Sequence, residues 1–300
     1  MNMFACRRDP SIVSSNLTDP TFFETLFPAI DLEFPMRLPY LLLIGLFVCT
    51  AVISAGCVNT VDTSKENAAS EAISMINISL SENADWMTQA ADEIAAGKND
   101  ADSSKQVLAD LYQKSTLAQT ILYANENMIV VSVYPDIILS SVGTDQSSYG
   151  TNEAYYSGKT IALTEYFHLD DGTNASVLSA PVYDNGTWKG YISMSFDSSR
   201  LFGDVEKYLF ENYGYHLCVL QTNGLQVYDY DLRERGKNIL TDPSYPDDVK
   251  TAAMEICRET SGTTKYTYKK TGSDEIVQKT VVWDTLEFGG QTWRVLILAE

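Results

Sequence analysis

The sequence predicts an α+β protein in which one long amphipathic helix precedes two β-rich units separated by a second helix. Three observations predict it. Between positions 64 and 96 an apolar residue returns every seventh position (Ile73, Leu80, Met87, Ile94), with Ile76, Asn83 and Ala90 between them, which lays one stripe along a helix. After Leu117 the chain turns to short β-branched and aromatic runs parted by Asn, Asp and Gly, the signature of antiparallel strands. That strand texture stops near Ser198, gives way to a helical stretch, and starts again at Tyr215.

The elements follow in order. Gly97-Lys98-Asn99-Asp100 breaks the long helix, and a second helix is expected around 105–114. Strands are expected at 120–123 and 128–134, with Asn125-Glu126-Asn127 as their turn. Strands 177–183 and 188–196 are joined by Asp184-Asn185-Gly186, a strong hairpin signal because Asn-Gly tolerates positive φ. A helix over 198–212 ends near Gly214. Strand 215–221, the turn Asn223-Gly224 and strand 225–230 open the second unit, followed by a helix over 247–259. Strands 263–269, 277–283 and 291–298 close the chain, with Gly289-Gly290 turning the last hairpin. The long helical stripe suits a homodimer seam or packing against its own domain, and the sequence leaves both open.

The stretch Met36–Cys57, MRLPYLLLIGLFVCTAVISAGC, sets the location. A basic residue, a charge-free apolar run from Leu38 to Ser54 and the small residues Ala55 and Gly56 before Cys57 form an export signal. Ser-Ala-Gly-Cys reads as a lipobox with Cys57 as the lipidated residue, and an uncleaved membrane anchor is the alternative. Both place the rest of the chain outside the cytoplasm, anchored to the cell membrane. Residues 1–35, irregular and holding Pro10, Pro20, Pro28 and Pro35, read as an upstream extension ahead of a true start at Met36.

Roughly 240 residues after Cys57 suffice for one large core or two small ones. The 21 Lys+Arg against 40 Asp+Glu give a formal charge of -19, which argues against nucleic acid as a partner. Eighteen tyrosines favour strands and half-polar pockets. Cys218 and Cys257 are the two cysteines beyond the signal, free to pair or not. Neither Cys-x-x-Cys nor His-x-x-x-His spacing occurs, so no metal or cofactor site is expected.

Several motifs taken in order resemble the double Cache sensors, extracytoplasmic modules of two tandem PAS-like antiparallel sheets on one long helix. They are Ser132-Val133-Tyr134-Pro135 with Val142-Gly143-Thr144-Asp145, then Ala180-Pro181-Val182-Tyr183-Asp184-Asn185-Gly186 leading to Gly190-Tyr191-Ile192-Ser193. Val227-Tyr228-Asp229-Tyr230-Asp231 with Gly236-Lys237-Asn238, and Trp283 followed by Gly289-Gly290-Gln291-Thr292-Trp293-Arg294, complete the likeness. It covers roughly residues 60–300 and is closest to versions from methanogenic archaea. It implies a helical stalk over 58–118, a membrane-distal unit over 119–200 that binds a small molecule, and a membrane-proximal unit over 201–300. Members of that family commonly carry a second membrane span and a cytoplasmic output, whereas this sequence stops after its last strand. A separate membrane signalling or transport protein is therefore the expected partner.

The resemblance also supplies the candidate ligand residues Tyr134, Asp145, Glu153, Tyr155, Tyr156, Tyr166 and His168. The amino-acid-binding subset places an Arg where Glu153 stands, an Asp where His168 stands and a later Asp where Ser195 stands. Glu153 would repel a carboxylate that an Arg fork would bind, so an α-amino acid is not the expected ligand. Tyr155, Tyr156 and Tyr166 either form an aromatic wall that with Glu153 suits a cation or neutral polar ligand, or are ordinary sheet-face tyrosines.

An enzyme is not expected. His168 and His216 are the only histidines, the first opening a polar loop and the second lying in an apolar strand as a satisfied core residue. No nucleophile elbow or phosphate loop is present. Asp229 and Asp231 on one strand face are too few to define a cation site. A transporter-linked solute-binding lipoprotein and a structural envelope protein are the alternative functions.

Overall fold

The computed structural model describes residues 63–147, 160–168, 173–269 and 275–299, with His168 and Lys269 described by backbone alone. All lie within one compact unit, Val61–Glu300. The signal segment, Cys57, Glu153, Tyr155 and Tyr156 lie outside the described residues.

The predicted stripe forms α1, Ser64–Ala95, a helix of 32 residues that is about 48 Å long at 1.5 Å per residue. It buries Ala68, Ala69, Ala72, Ile76, Leu80, Asn83, Met87 and Ile94 on one side. Asn83, the polar member of the stripe, is hydrogen-bonded at both ends of its amide and acts as a polar peg. Its amide donates to the Ser79 carbonyl at 2.8 Å, and its Oδ1 accepts from the Ser115 hydroxyl at 2.6 Å. Ser115 in turn accepts the backbone N–H groups of Leu117 (3.1 Å) and Ala118 (2.9 Å), so the peg fixes the turn into the first strand.

Helix α2, Ala101–Lys114, starts four residues earlier than the sequence spacing suggests. Asp100 caps it by accepting the N–H groups of Asp102 and Ser103 at 3.1 and 3.0 Å, an arrangement worth about 1 kcal/mol.

The first sheet contains β1 (Thr120–Asn125), β2 (Val130–Tyr134), β3 (Ala162–Leu163), β4 (Phe167–His168), β5 (Asn174–Asp184) and β6 (Thr187–Phe196). The order is β2-β1-β6-β5-β3, with β4 also pairing with β5. The expected hairpin joins β5 to β6, with positive φ at Asn185 (48°) and Gly186 (77°). Helix α3, Ser198–Tyr213, then leads to the second sheet, ended by Gly214 in the left-handed region at φ 69°.

The second sheet contains β7 (His216–Gln221), β8 (Gln226–Asp229), β9 (Gly262–Lys269), β10 (Ile276–Phe288) and β11 (Gln291–Ala299). Its order is β8-β7-β11-β10-β9, antiparallel throughout. Helix α4, Asp247–Arg258, lies before β9.

One apolar core runs through both sheets. It joins Ile76, Leu80 and Met87 of α1 to Leu178 and Met194 of the first sheet and to Trp293, Val295 and Ile297 of the second. Phe202 of α3 packs edge-on against Trp293, with centroids 5.5 Å apart, and tilted against Tyr228 at 5.4 Å. The sheets also touch directly, through the Leu163 N–H donating to the Gly289 carbonyl at 2.8 Å. A Cβ at Gly289 would stand 2.7 Å from the Leu163 nitrogen, so the approach depends on glycine.

Leu80→Ala is expected to lower stability by about 2–5 kcal/mol, because Leu80 is wholly buried in the shared core. Urea unfolding of the two proteins gives the difference from their midpoints.

Candidate functional site

Strand alternation divides the first sheet into two chemically distinct faces. Ile121, Met194 and Leu178 lie opposite one another in register and belong to the core shared with α1. The other face carries Thr120, Leu122, Ser193, Ser195, Val177 and Ser179, which the same registers align. Thr120 and Ser195 are hydrogen-bonded at 2.5 Å. This hydroxyl-rich face was legible in Ile192-Ser193-Met194-Ser195-Phe196, where serines alternate with core residues at strand period, although only Ser195 drew attention there.

The described candidate residues are spread around this unit. Tyr134, on the edge strand β2, aligns with Ile121 and packs edge-on against Tyr112 of α2, centroids 5.1 Å apart. Asp145 is exposed beside β2, bridged to Ile129. Its carboxylate accepts the Ser147 N–H at 2.8 Å, and hydrogen bonding from the Ser147 side chain and then from this N–H holds it below the usual carboxylate range. Tyr166 is beyond the opposite edge, following β3, and is buried. Its N–H donates to Gln221 Oε1 of β7 at 3.1 Å, and its hydroxyl meets Ser198 Oγ at 3.4 Å. Burial raises the phenol's pKa. Tyr166 thus belongs to the joint between the sheets. His168 closes β4, paired with Asn174.

The second unit holds a cleft of about 630 Å³ between its sheet and the segment that crosses it, 230–246, with the start of α4. Its floor is apolar, from Ile239, Val249 and Leu298, and its walls carry Tyr230, Tyr245, Tyr266 and Tyr268. At the rim, Arg233 grips Asp231 through two bonds of 2.9 and 2.6 Å, holding that carboxyl at about 2. Lys237 pairs with Glu234 at 3.1 Å, and Glu234 accepts from the Tyr245 hydroxyl.

Two charged residues of the cleft are buried, Asp229 at 7% exposure and Lys279 at 4%. The Lys279 ammonium donates to the Tyr230 hydroxyl at 2.8 Å and lies 5.0 and 4.8 Å from the ring centres of Tyr230 and Tyr268. Asp229 accepts the Asp231 N–H at 2.8 Å. Burial pushes its carboxyl up to about 6, opposed by that hydrogen bond, the Cys218 thiol and the Lys279 ammonium, and reinforced by Glu234. The sequence singled out Asp229 as a weak cation ligand and passed over Lys279, since nothing local in Glu275-Ile276-Val277-Gln278-Lys279 marks a buried lysine.

Neither the cysteines nor His216 form a reactive centre. Cys218 and Cys257 are both free, and burial drives the Cys218 thiol pKa well up. His216 bonds Glu206 through Nδ1 at 2.7 Å and is sandwiched between Phe210 and Tyr230, at 5.2 and 4.0 Å. It is satisfied as the sequence suggested, though half-buried rather than in the core. Among the described residues no His, Cys, Asp and Glu side chains group to hold a metal ion.

With this geometry in place, the comparisons are decisive for the fold. Residues 79–198 match the family model described as HK/GC/Chemotaxis protein-like, sensor domain. Among solved structures, an extracellular ligand binding receptor from Desulfohalobium retbaense matches with a TM-score of 0.65 at 19% identity. The match covers 80% of this chain and 41% of the receptor, so the chain spans about two-fifths of that relative's length. The ligand-binding domain of the Pseudomonas aeruginosa amino acid chemoreceptor PctB, in complex with L-Gln, matches at TM-score 0.57 and 11% identity, over 79% of this chain and 90% of that one. The ligand-binding domain of the Pseudomonas fluorescens chemoreceptor CtaA, in complex with L-serine, matches at 0.58 and 13%, over 78% and 95%. No curated protein sequence matches the chain. The fold is the α+β tandem Cache-like arrangement.

Two predictions follow from the joint and the cleft. Gln221→Ala is expected to cost about 1–3 kcal/mol, read from urea midpoints, because it strands the buried Tyr166 N–H. Asp229 holds its proton to about pH 6 in the folded chain, against 3.8 in an ordinary peptide. Between those values the folded state binds the extra proton, so stability falls as pH rises, by about 3 kcal/mol in all. Asp229→Asn is expected to remove that fall when stability is measured from pH 4 to 7.

Proposed function

We propose that this chain is an extracytoplasmic sensor that binds a small molecule in its first unit and passes the event along α1. The observation that carries the reading is the sensor-family match over residues 79–198, which runs from the second half of α1 through the whole first sheet. The polar face of that sheet, with Thr120, Ser179, Ser193 and Ser195, supports it. A face of hydroxyls bordered by apolar side chains suits a small polar ligand.

In this proposal Glu153, Tyr155, Tyr156 and His168 supply the ligand's direct contacts. Tyr134 and Asp145 support one edge of the site, and Tyr166 links it to the joint with the second sheet. The ligand is a cation or a neutral polar molecule, in keeping with Glu153. Cys57 is the lipidated anchor, and the partner is a membrane signalling or transport protein. Among the described residues no helix is long and apolar enough to cross a membrane, and the proposed anchor lies outside them.

Thermal unfolding of the full chain against amines, carboxylates, purines and amino acids tests the reading. A ligand at about 100 times its dissociation constant should add about 2.7 kcal/mol of stability, and Tyr156→Ala or Glu153→Ala should abolish the shift. A shift untouched by both substitutions would move the site out of the first unit, and no shift across the panel would contradict the sensor reading.

A further inference from the structure

We propose that the cleft of the second unit is a binding site in its own right, for an uncharged ring compound that carries a hydrogen-bond acceptor. The proposal goes beyond the first-unit reading and rests on other residues.

The charges of the cleft argue for a ligand without one. The lining carries three carboxylates, Asp229, Asp231 and Glu234, and three cations, Arg233, Lys237 and Lys279. This is a balanced set in a chain of formal charge -19, and every member is engaged within the protein. Arg233 holds Asp231 through two bonds, and Lys237 pairs with Glu234 at 3.1 Å. Asp229 accepts the Asp231 N–H at 2.8 Å and is drawn to the Lys279 ammonium. Lys279 donates to the Tyr230 hydroxyl at 2.8 Å and lies against the rings of Tyr230 and Tyr268. A charged ligand would give up its hydration without gaining a free countercharge.

The Tyr266 hydroxyl, by contrast, makes no hydrogen bond among the described residues. Tyr266 lines the cleft from β9 and stands directly opposite Lys279 of β10 in register. Its ring packs against the apolar cluster of Cys218, Trp283 and Leu298 and lies 6.2 Å from the ring of Tyr268. Burial raises its pKa, so the phenol keeps its proton and is a donor. A largely buried donor without a partner costs free energy, and a ligand carbonyl or hydroxyl oxygen supplies that partner.

The other walls are preformed and suit a ring. Tyr230 is held against His216 at 4.0 Å, and Phe210 stacks on the same imidazole at 5.2 Å. Tyr245 accepts from Gln226 Nε2 at 2.6 Å and donates to Glu234. Ile239, Val249 and Leu298 give an apolar floor, and rings pack well on aromatic walls. The volume of about 630 Å³ lies within the range of small-molecule sites, and fixed walls reduce the ordering that binding requires.

Calorimetric titration of the full chain with benzamide, acetophenone and coumarin tests the proposal, with benzoate and benzylammonium as charged counterparts. At least one of the three neutral carbonyl compounds should bind, and both ions should bind about tenfold more weakly or not at all. Tyr266→Phe, which removes the hydroxyl and keeps the ring, should weaken binding about three- to tenfold. Ser244→Trp, at an exposed position on the rim, should block it without disturbing the core. Tyr156→Ala should leave it unchanged. Failure of all three neutral compounds to bind would overturn the proposal, as would ions that bind equally well. Full-strength binding in either Tyr266→Phe or Ser244→Trp would also overturn it. Binding lost in Tyr156→Ala but kept in Tyr266→Phe would overturn it while upholding the first-unit site.

Discussion

The buried stripe of α1 is the constraint on which the rest of the structure depends. Each sheet turns an apolar face to this helix, and the second sheet buries its other face too, with Leu220, Val281, Trp283 and Leu296 clustered with Ile256 of α4. Near its start, Glu71 accepts the Tyr208 and Tyr213 hydroxyls of α3 at 2.9 and 2.8 Å, and Ser64 bonds the Tyr215 hydroxyl at 2.7 Å. Further along, Asn83 fixes the turn that leads into the first strand. With one face of each sheet covered by the helix, the opposite face carries hydroxyls in the first unit and a smaller apolar cluster with Ile256 of α4 in the second.

Those remaining faces differ in chemistry. In the first unit the free face is lined with serine and threonine hydroxyls and offers little charge of its own. In the second unit it carries buried Asp229 and Lys279 amid tyrosines, closed over by a crossing segment. A fold that repeats the same sheet twice thus presents two different chemical surfaces. The joint between them is made of specific bonds, Leu163 to Gly289 and Tyr166 to Gln221.

Much of the fold was legible in the sequence because it rests on period and turn chemistry. The seven-residue stripe, the Asn185-Gly186 hairpin and the helix between the units all follow from local rules. The edges were less legible: α2 begins at Ala101 because Asp100 caps it, a signal hidden within a stretch that reads as a break. The role of Asn83 in the stripe is not legible locally because its partner, Ser115, is 32 residues away. The same limit applies to the sites. Tyr166 was recognised as a special tyrosine, but its tie to Gln221 spans 55 residues and no local pattern announces it. Lys279 is buried beside Tyr230, 49 residues away in sequence, which sequence spacing alone does not show.

Native-state hydrogen exchange of the full chain, followed through a denaturant series, tests most directly whether one helix makes the two units a single body. The account predicts that the slowest amides of β6 and β11 open with the same free energy and the same denaturant dependence, since both sheets lose their cover when α1 leaves. Opening of one sheet at clearly lower free energy, with the other still protected, would contradict it.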